Sequence, residues 1–507
     1  MTGVEIEMNP VEKPEKRQDI WFLKDSPEKS SHLGFSLSQF TNSLFKYDRL
    51  PADKNVPSNG NSVRSNKYEW ADGIRGIAAF IVLIHHIQCA FFGESANSHP
   101  GPIYLLPLEL LTRGPQAVHV FFVLSGFVLS VSFLGKIHSA ETISKCPDEE
   151  EAQSQRMKDI HYSGFLSISS TSFRRFARLF VPCFISGWIA FLSTEILNTH
   201  VDCEKLFASG MLKDTNWLKR VCLAKAPDSE STMVWRFIQI VFIKVWDGGS
   251  DNPYNKVMWT MHIELAGSAV VMFTLLMIAN IRWRYRTTVL VAACMFTFNA
   301  SAVGTTRYFS SFFSGMLMAQ LLTYPPLVDF SLKAWRSNWM GLERLGLERL
   351  GLVLQGAFTV LSVYLLSMPS GTSDHHSHYF WISKVLKPFG LEVVKSGNRI
   401  GAFMLMLALG FSPRMQKFFK YQVFRFLGRI SFLLYLLHFE ILMSVAVPVA
   451  YNLAIQNILS YGQARYVAGV VCVLLSLAVG YLATVLIDEP VQRRLRLLEK
   501  RFQIVGT

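Results

Sequence analysis

Long apolar stretches separated by short polar connections dominate the sequence from residue 71 onward. Runs of about 17–25 apolar residues, the length that crosses a hydrocarbon layer of about 30 Å, recur along this part of the chain. The pattern predicts an all-α fold, a polytopic integral-membrane helical bundle of about ten transmembrane helices. We place the spans near residues 72–92, 117–134, 176–196, 257–280, 287–302, 306–323, 351–368, 398–412, 430–450 and 465–487.

Basic residues concentrate in alternate connections between these spans. Three arginines follow span four, and a denser basic group follows span eight. The C-terminal segment carries Arg493, Arg494, Arg496, Lys500 and Arg501. Because basic residues stay on the cytosolic side, this alternation predicts that both termini are cytosolic, which requires an even number of spans. The protein is therefore expected to be a multi-pass integral membrane protein, and the pattern leaves open the endoplasmic reticulum, the Golgi and the plasma membrane.

Composition divides the chain into three parts. Residues 1–70 are polar and predict a disordered cytosolic tail, residues 71–490 form the membrane domain, and residues 491–507 form a basic cytosolic tail. Half of all residues are hydrophobic and only 17% are charged, which excludes an ordinary soluble protein. The net charge of +13 is distributed among the connections rather than collected on one module, so we expect no nucleic-acid partner.

Span one carries two ionisable residues on one helical face. Arg75 and His86 are eleven positions apart, and eleven helical steps of about 100° return almost to the starting direction. The rise of about 16 Å puts Arg75 near the cytosolic face and His86 near the middle of the membrane, where an ionisable side chain is a candidate for function. His85 should face elsewhere. The alternative is structural: Asp72 pairs with Arg75 at the membrane edge, and His86 bonds a neighbouring helix.

Two further ionisable residues lie inside predicted spans. His438, in span nine, lies at a depth similar to that of His86, so the two histidines predict a shared polar cavity. Glu264, in span four, is a carboxylate that could hold a histidine in the tautomer that accepts a proton. The structural alternatives are a core histidine satisfied by a backbone carbonyl, and a carboxylate that only locks helices together.

An arginine cluster introduces span three, and a Ser-Gly pair lies in span two. Arg174, Arg175 and Arg178 could hold the phosphates of a nucleotide-containing donor or the headgroups of anionic lipids, and topology alone would also explain them. Ser125-Gly126 allows either close backbone packing or substrate contact.

Metal and disulfide sites are weakly indicated. The Asp374–His378 run is rich in histidine but lacks a convincing spacing of ligands, so we expect no metal site. Cys203 and Cys222 share a predicted outer loop, where a disulfide between them is a hypothesis that non-reducing mass mapping would test.

Together the motifs resemble those of the membrane acyltransferase-3 family, in its fungal-type form, in order and over about residues 70–495. The matching pieces are Asp72-Gly73-Ile74-Arg75-Gly76 with His86, Phe121-Phe122-Val123-Leu124-Ser125-Gly126-Phe127, Arg174-Arg175 with Arg178-Leu179 and Pro182, Gly428-Arg429-Ile430-Ser431 with His438, and Glu489-Pro490. The resemblance implies a ten-span bundle that acylates hydroxyl groups, often acetylating sugars, with cytosolic acyl-CoA as cosubstrate and no permanently bound cofactor. Bacterial members often carry a Glu-Glu pair in the fourth span, whereas only Glu264 matches here.

The expected function is transfer of an acyl group, in the first place acetyl, from acyl-CoA to a hydroxyl of a secondary metabolite or carbohydrate. Arg75, Arg174, Arg175 and Arg178 would engage the CoA phosphates, and Arg75 and His86 would open onto one polar chamber. His86 would be the general base, with His438 and Glu264 orienting it or the acceptor. A covalent acyl-histidine remains an alternative. The rival functions are a transporter with a path lined by histidine and arginine, and a sensor that binds acyl-CoA without turnover.

Overall fold

The computed structural model describes most of the membrane domain. The described residues are 68–93, 108–143, 150–200, 202–210, 216–223, 232–243, 246, 255–299, 304–324, 347–368, 380–386 and 393–502. They exclude the Asp374–His378 run and nearly all of the polar tail predicted for residues 1–70. The side chains of Cys203 and Cys222 are also outside the described set, so the disulfide stays a hypothesis.

Every regular element in this part of the chain is helical. The helices are α1 Glu69–Phe91, α2 Gly114–Ile143, α3 Glu150–Phe191, α4 Cys203–Ala208, α5 Asn216–Leu223, α6 Met233–Ile238, α7 Trp259–Ile278, α8 Trp283–Asn299, α9 Phe309–Thr323, α10 Leu347–Leu366, α11 Phe380–Leu386, α12 Val393–Phe411, α13 Pro413–Phe419, α14 Gln422–Ile441, α15 Val447–Ile455, α16 Tyr461–Ala483 and α17 Glu489–Phe502. Single wider helical turns follow α3, α6, α14 and α16, at Leu192–Ile196, Gln239–Ile243, Leu442–Ala446 and Thr484–Asp488.

Each of the ten predicted spans coincides with a helix. Within the described residues, six helical segments are long and apolar enough to cross a membrane: Glu69–Phe91, Gly114–Glu141, Ser154–Ile196, Lys256–Ile278, Gln422–Ile455 and Tyr461–Glu499. The other four predicted spans correspond to α8, α9, α10 and α12, with 17, 15, 20 and 19 residues. The chain is thus an all-helical, multi-pass membrane protein, while the number of spans and the orientation of its termini remain predictions.

Lipid-facing surface is recognisable on α16. Val470, Leu474 and Leu482 of this helix are all more than half exposed. A soluble helix would turn such residues toward a protein core, whereas a hydrocarbon layer accepts them outward. The helix begins at a capping box in which the hydroxyl of Ser460 accepts from the backbone N–H of Gln463, and the side chain of Gln463 accepts from the backbone N–H of Ser460.

Helices α1 and α14 pack backbone to backbone near the ends at which both begin. A Cβ atom on Gly76 would overlap the backbone nitrogen of Gly428, and a Cβ atom on Gly428 would overlap the carbonyl oxygen of Asp72. Only glycine at both positions permits this approach, as in other close helix pairs in membranes. Since α1 carries Arg75 and His86 and α14 carries His438, the contact fixes the candidate site residues relative to one another.

Candidate active site

A central cavity of about 90 Å³ lies among α1, α2, α3, α7 and α14. Its basic lining residues are Arg75, Arg175 and Arg178, and its polar ones are Ser125, Thr260, Glu264, Ser431 and Tyr435. The apolar wall is formed by Val118, Phe121, Phe122, Leu179, Met261 and Phe432. An apolar chamber with a few convergent polar groups is the usual form of a small-molecule site.

Glu264 is paired with Arg175 in this cavity. The Nη2 atom of Arg175 donates to the Glu264 carboxylate and, at 2.8 Å, to the hydroxyl of Ser125. The hydroxyl of Ser125 donates to the same carboxylate oxygen, and Nε of Arg175 donates to Ser268 at 3.3 Å. Mutual neutralisation is what allows a carboxylate and a guanidinium to lie together at membrane depth. Among the contacts in the described residues, the partner of Glu264 is thus an arginine on another helix, which agrees with the structural alternative of a carboxylate that locks helices together.

The four arginines expected to bind phosphate occupy different settings. Arg75 lines the cavity and holds Asp72 of its own helix at 2.8 Å, the pairing that the structural alternative anticipated. Arg178 lines the cavity and, within the described part of the chain, makes neither a hydrogen bond nor an ion pair. Arg174 is outside the cavity lining and pairs with Glu499 of α17 at 3.4 Å. Arg178 is therefore the guanidinium most available to an anionic ligand.

His86 and His438 are in direct contact. The Nδ1 atom of His86 is 2.8 Å from Nε2 of His438, and the two rings stack with centroids 5.1 Å apart at 22°. His438 is fully buried and His86 is half-buried. The helical geometry explains the meeting: His86 is about 26 Å along α1 and His438 about 24 Å along α14, and both helices begin at the same end of the bundle. His86 is about 8 Å from the far end of α1, and its depth in the membrane stays a prediction.

When both rings are neutral, hydrogen bonding fixes their tautomers. A carbonyl oxygen can only accept, so Nδ1 of His438 donates to the carbonyl of Leu434, 3.1 Å away. This leaves Nε2 of His438 as an acceptor, and Nδ1 of His86 donates to it. The remaining nitrogen of His86, Nε2, then carries a lone pair. A histidine held in this tautomer by its second nitrogen is arranged to take up a proton.

The histidine pair adjoins the cavity but is not part of its lining. Among the described residues that line the cavity, neither His86 nor His438 occurs, so the expectation of one chamber shared by Arg75 and His86 is not met in this structure. Tyr435 lies next to both regions. Its ring lines the cavity and is 5.9 Å from the ring of His438, and its hydroxyl is 2.9 Å from that of Thr260 and 3.1 Å from the carbonyl of Val257.

Other aromatic and histidine side chains surround His86. His85 turns away, as expected, and its Nδ1 donates to the carbonyl of Thr112 at 2.7 Å. The ring of Trp217, on α5, is 5.5 Å from the ring of His86 at an angle of 34°. Phe439 meets the same imidazole edge-on at 6.4 Å.

The remaining motifs join helices to one another, by an ion pair near the end of the bundle where α1 begins and by close backbone packing. Glu489, at the start of α17, pairs with Arg429 of α14 at 2.7 Å. A Cβ atom on Gly126 would overlap the carbonyl of Phe312, while its neighbour Ser125 lines the cavity. Gly126 therefore has the packing role, while substrate contact by Ser125 stays a prediction. No group of three or more histidine, cysteine or acidic residues that could hold a metal occurs among the residues that the structure describes.

Sequence reasoning missed Tyr435 and Trp217. A signal for Tyr435 exists, because it precedes His438 by three residues and so shares its helical face. Trp217 lies in a connection predicted as an outer loop, and nothing in its sequence context indicates a position beside His86.

Two fungal proteins are similar to the chain over most of its length. One is the O-acetyltransferase PaAT-1 of Phomopsis amygdali, 27% identical over 407 residues, covering 73% of this chain and 71% of that protein. The other is the acyltransferase R4 of a Phoma species, 23% identical over 417 residues, covering 74% of this chain and 82% of that protein. No solved structure matches the chain significantly.

The family comparison covers the same region. A family model described as an acyltransferase domain, Acyl_transf_3, matches residues 68–485, which include the cavity, the histidine pair and the α1–α14 contact. That span is well over half of the 507 residues. The chain belongs to the membrane acyltransferase-3 family.

Proposed function

We propose that the protein transfers an acetyl or similarly short acyl group from cytosolic acyl-CoA to a hydroxyl group of a secondary metabolite or carbohydrate. The observation that carries the proposal is the relay from His86 through His438 to the carbonyl of Leu434, which leaves Nε2 of His86 free to accept a proton. An imidazole that donates a hydrogen bond from one nitrogen and has a lone pair on the other can act as a general base. The similarity to PaAT-1, an O-acetyltransferase, supports acetyl as the acyl group and oxygen as the acceptor atom.

The donor fits the arginine-lined cavity. Its phosphates would meet Arg178, which makes no hydrogen bond or ion pair within the described residues, and Arg75. Charge-assisted hydrogen bonds from guanidinium groups are the common means of holding phosphate. The pantetheine arm of CoA is a long flexible chain, and it would extend past Tyr435 along the rise of about 16 Å that separates Arg75 from His86.

The chemical step then needs only one proton acceptor. Nε2 of His86 takes the proton of the acceptor hydroxyl while its oxygen attacks the thioester carbonyl. When the tetrahedral intermediate collapses, the carbon–sulfur bond breaks, the new ester forms, and His86 returns the proton to the sulfur of CoA. The products are an O-acylated acceptor and free CoA, and His86 regains its open nitrogen.

In this scheme Glu264 contributes to the cavity that binds acyl-CoA. Its carboxylate neutralises Arg175 and, with Ser125 and Ser268, holds that guanidinium in the cavity wall. Replacing the carboxylate would leave a buried charge without its partner, which is costly at membrane depth. In this scheme His438 orients His86, and orientation of the acceptor by Glu264 stays a prediction.

The test is thioester turnover by the purified protein in detergent, with His86→Ala. We expect acyl transfer and CoA release to fall about 10²- to 10⁴-fold, the usual contribution of a general base. His161→Ala replaces a half-buried histidine of α3, outside the site, and should leave both unchanged.

The acceptor itself is found by comparative metabolite and glycan mass spectrometry of cells with and without the gene, as the compound that loses an acetyl increment.

Full turnover in a folded His86→Ala protein would contradict the mechanism. A wild-type protein that moves solutes and leaves acyl-CoA intact would indicate the transporter, and acyl-CoA binding without turnover would indicate the sensor.

A further inference from the structure

His86 is enclosed by rings on several sides. His438 stacks on it, and Phe439 meets it edge-on. Trp217 is different in origin, because it belongs neither to α1 nor to α14 but to α5, a helix of eight residues within a long connection. The indole lies 5.5 Å from the imidazole and 6.0 Å from the ring of Phe439.

The position of Trp217 is set by the amphipathic character of α5. Leu218 is 1% exposed and belongs to the main core, whereas Lys219 and Arg220 are exposed. Burial of Leu218 therefore turns one side of α5 toward the bundle, and Trp217 and Val221 pack against the core on that side. The contact between Trp217 and His86 follows from how this helix is seated and is not a chance approach of a loop side chain.

Water is the competitor that an O-acyltransferase must exclude. A base that can take a proton from an acceptor hydroxyl can also take one from water, and the thioester is then hydrolysed without transfer. Enzymes prevent this loss by covering the reacting groups with apolar surface. An indole is large, flat and apolar over most of its area, which suits it to cover a half-buried imidazole.

We infer that Trp217 is a positioning residue that covers His86 and keeps water from its open nitrogen, so that α5 functions as the cover of the catalytic base. The inference rests on the proposed function, because it assumes that His86 is the base. It assigns a catalytic contribution to a connection that the family motifs do not include. The side reaction that Trp217 would suppress is hydrolysis of the thioester. Water supplies the oxygen that forms acetate and the proton that CoA takes as it leaves as the thiol.

The test uses acetyl-CoA alone, without an added acceptor, and measures release of the CoA thiol by purified full-length protein. We expect Trp217→Ala to raise the maximal rate of hydrolysis several-fold while leaving the KM for acetyl-CoA unchanged. A merely structural role would instead lower the rate or alter the KM through loss of folded protein. Trp235→Ala is the matched control, because Trp235 lies in the same connection and is 46% exposed.

Two further variants make every result decisive. Trp217→Leu keeps an apolar side chain that covers less of the imidazole, and it replaces the alanine variant if the latter fails to give a single folded species. The double variant Trp217→Ala, His86→Ala should lose the added hydrolysis. Hydrolysis unchanged from wild type in the Trp217 variants would overturn the inference, with the proposed function intact if His86→Ala still lowers turnover. Added hydrolysis that persists without His86 would instead contradict the base assignment itself.

Discussion

The arginine-lined cavity and the histidine pair share helices α1 and α14, yet they stabilise ionisable groups in opposite ways. In the cavity, Arg175 and Arg75 are charged and are neutralised by the carboxylates of Glu264 and Asp72. At the histidine pair, no carboxylate bonds to either ring within the described residues, and a chain of neutral hydrogen bonds ends on a backbone carbonyl. The first arrangement suits the binding of an anion, and the second suits the movement of a proton.

The difference follows from the cost of charge in a low-dielectric interior. A guanidinium stays charged under all ordinary conditions, so a buried one needs a partner or an anionic ligand. An imidazole avoids the cost by remaining neutral. Arg178 differs from Arg175 and Arg75, since it makes no hydrogen bond or ion pair among the described residues and is acted on only at longer range by Asp72 and Asp488. An anion is therefore the occupant that we expect beside it.

The largest effect is expected from a substitution that displaces both the cavity and the histidine pair. Gly76→Ala adds a Cβ atom that overlaps the backbone of α14, so α1 and α14 must separate. We expect loss of both acyl-CoA binding and turnover, together with a lower melting temperature in detergent, whereas a His86 substitution removes turnover alone.

Gly356→Ala is the matched control for that substitution, because a Cβ atom on Gly356 meets nothing within 4 Å. It should preserve binding, turnover and melting temperature, or raise the last slightly, since alanine is the better helix former by up to about 1 kcal/mol. Equal behaviour of the two alanine variants would show that the close contact between α1 and α14 is not needed.

An intermediate effect is expected at the histidine pair alone. His438→Ala removes the acceptor of the His86 Nδ1 hydrogen and should lower turnover about 10- to 100-fold, the range found when a group that orients a metal-binding imidazole is removed. His438→Gln supplies an amide oxygen that can accept the same hydrogen and should recover part of the loss, with acyl-CoA binding unchanged in both variants. The idea of a neutral relay fails if glutamine is no better than alanine in equally folded protein.

An effect of similar size, but on the KM and not on the maximal rate, is expected in the cavity. Arg178→Ala should raise the KM for acyl-CoA about 10- to 100-fold, because a hydrogen bond to a charged group contributes about 1.5–3 kcal/mol. The rate at saturation should change little, since the base is untouched. Arg174→Ala is the control, as that arginine is outside the cavity lining and is paired with Glu499. A larger KM change for Arg174 than for Arg178 would reverse the assignment of the donor site.

Much of the fold and the family were predictable from the chain itself. Apolar length alone predicted helices at ten positions, because a membrane admits few other ways to satisfy the backbone. The alignment of Arg75 with His86 on one helical face and the similar depth of His438 followed from helical geometry. The motif order from Asp72 to Pro490 predicted the family, which the match over residues 68–485 confirms.

Only the tertiary structure decided which of these residues meet. The sequence did not show that Glu264 pairs with Arg175 instead of a histidine. It also did not show that Arg174 pairs with Glu499 outside the cavity while Arg178 lines it. Nor did it place Trp217, from a long connection, against His86. Periodicity describes one helix at a time, because each position along a helix has a fixed direction about its own axis. Contacts between helices depend in addition on their rotation and spacing, and at Gly76 and Gly428 these are set by atoms from two distant parts of the chain.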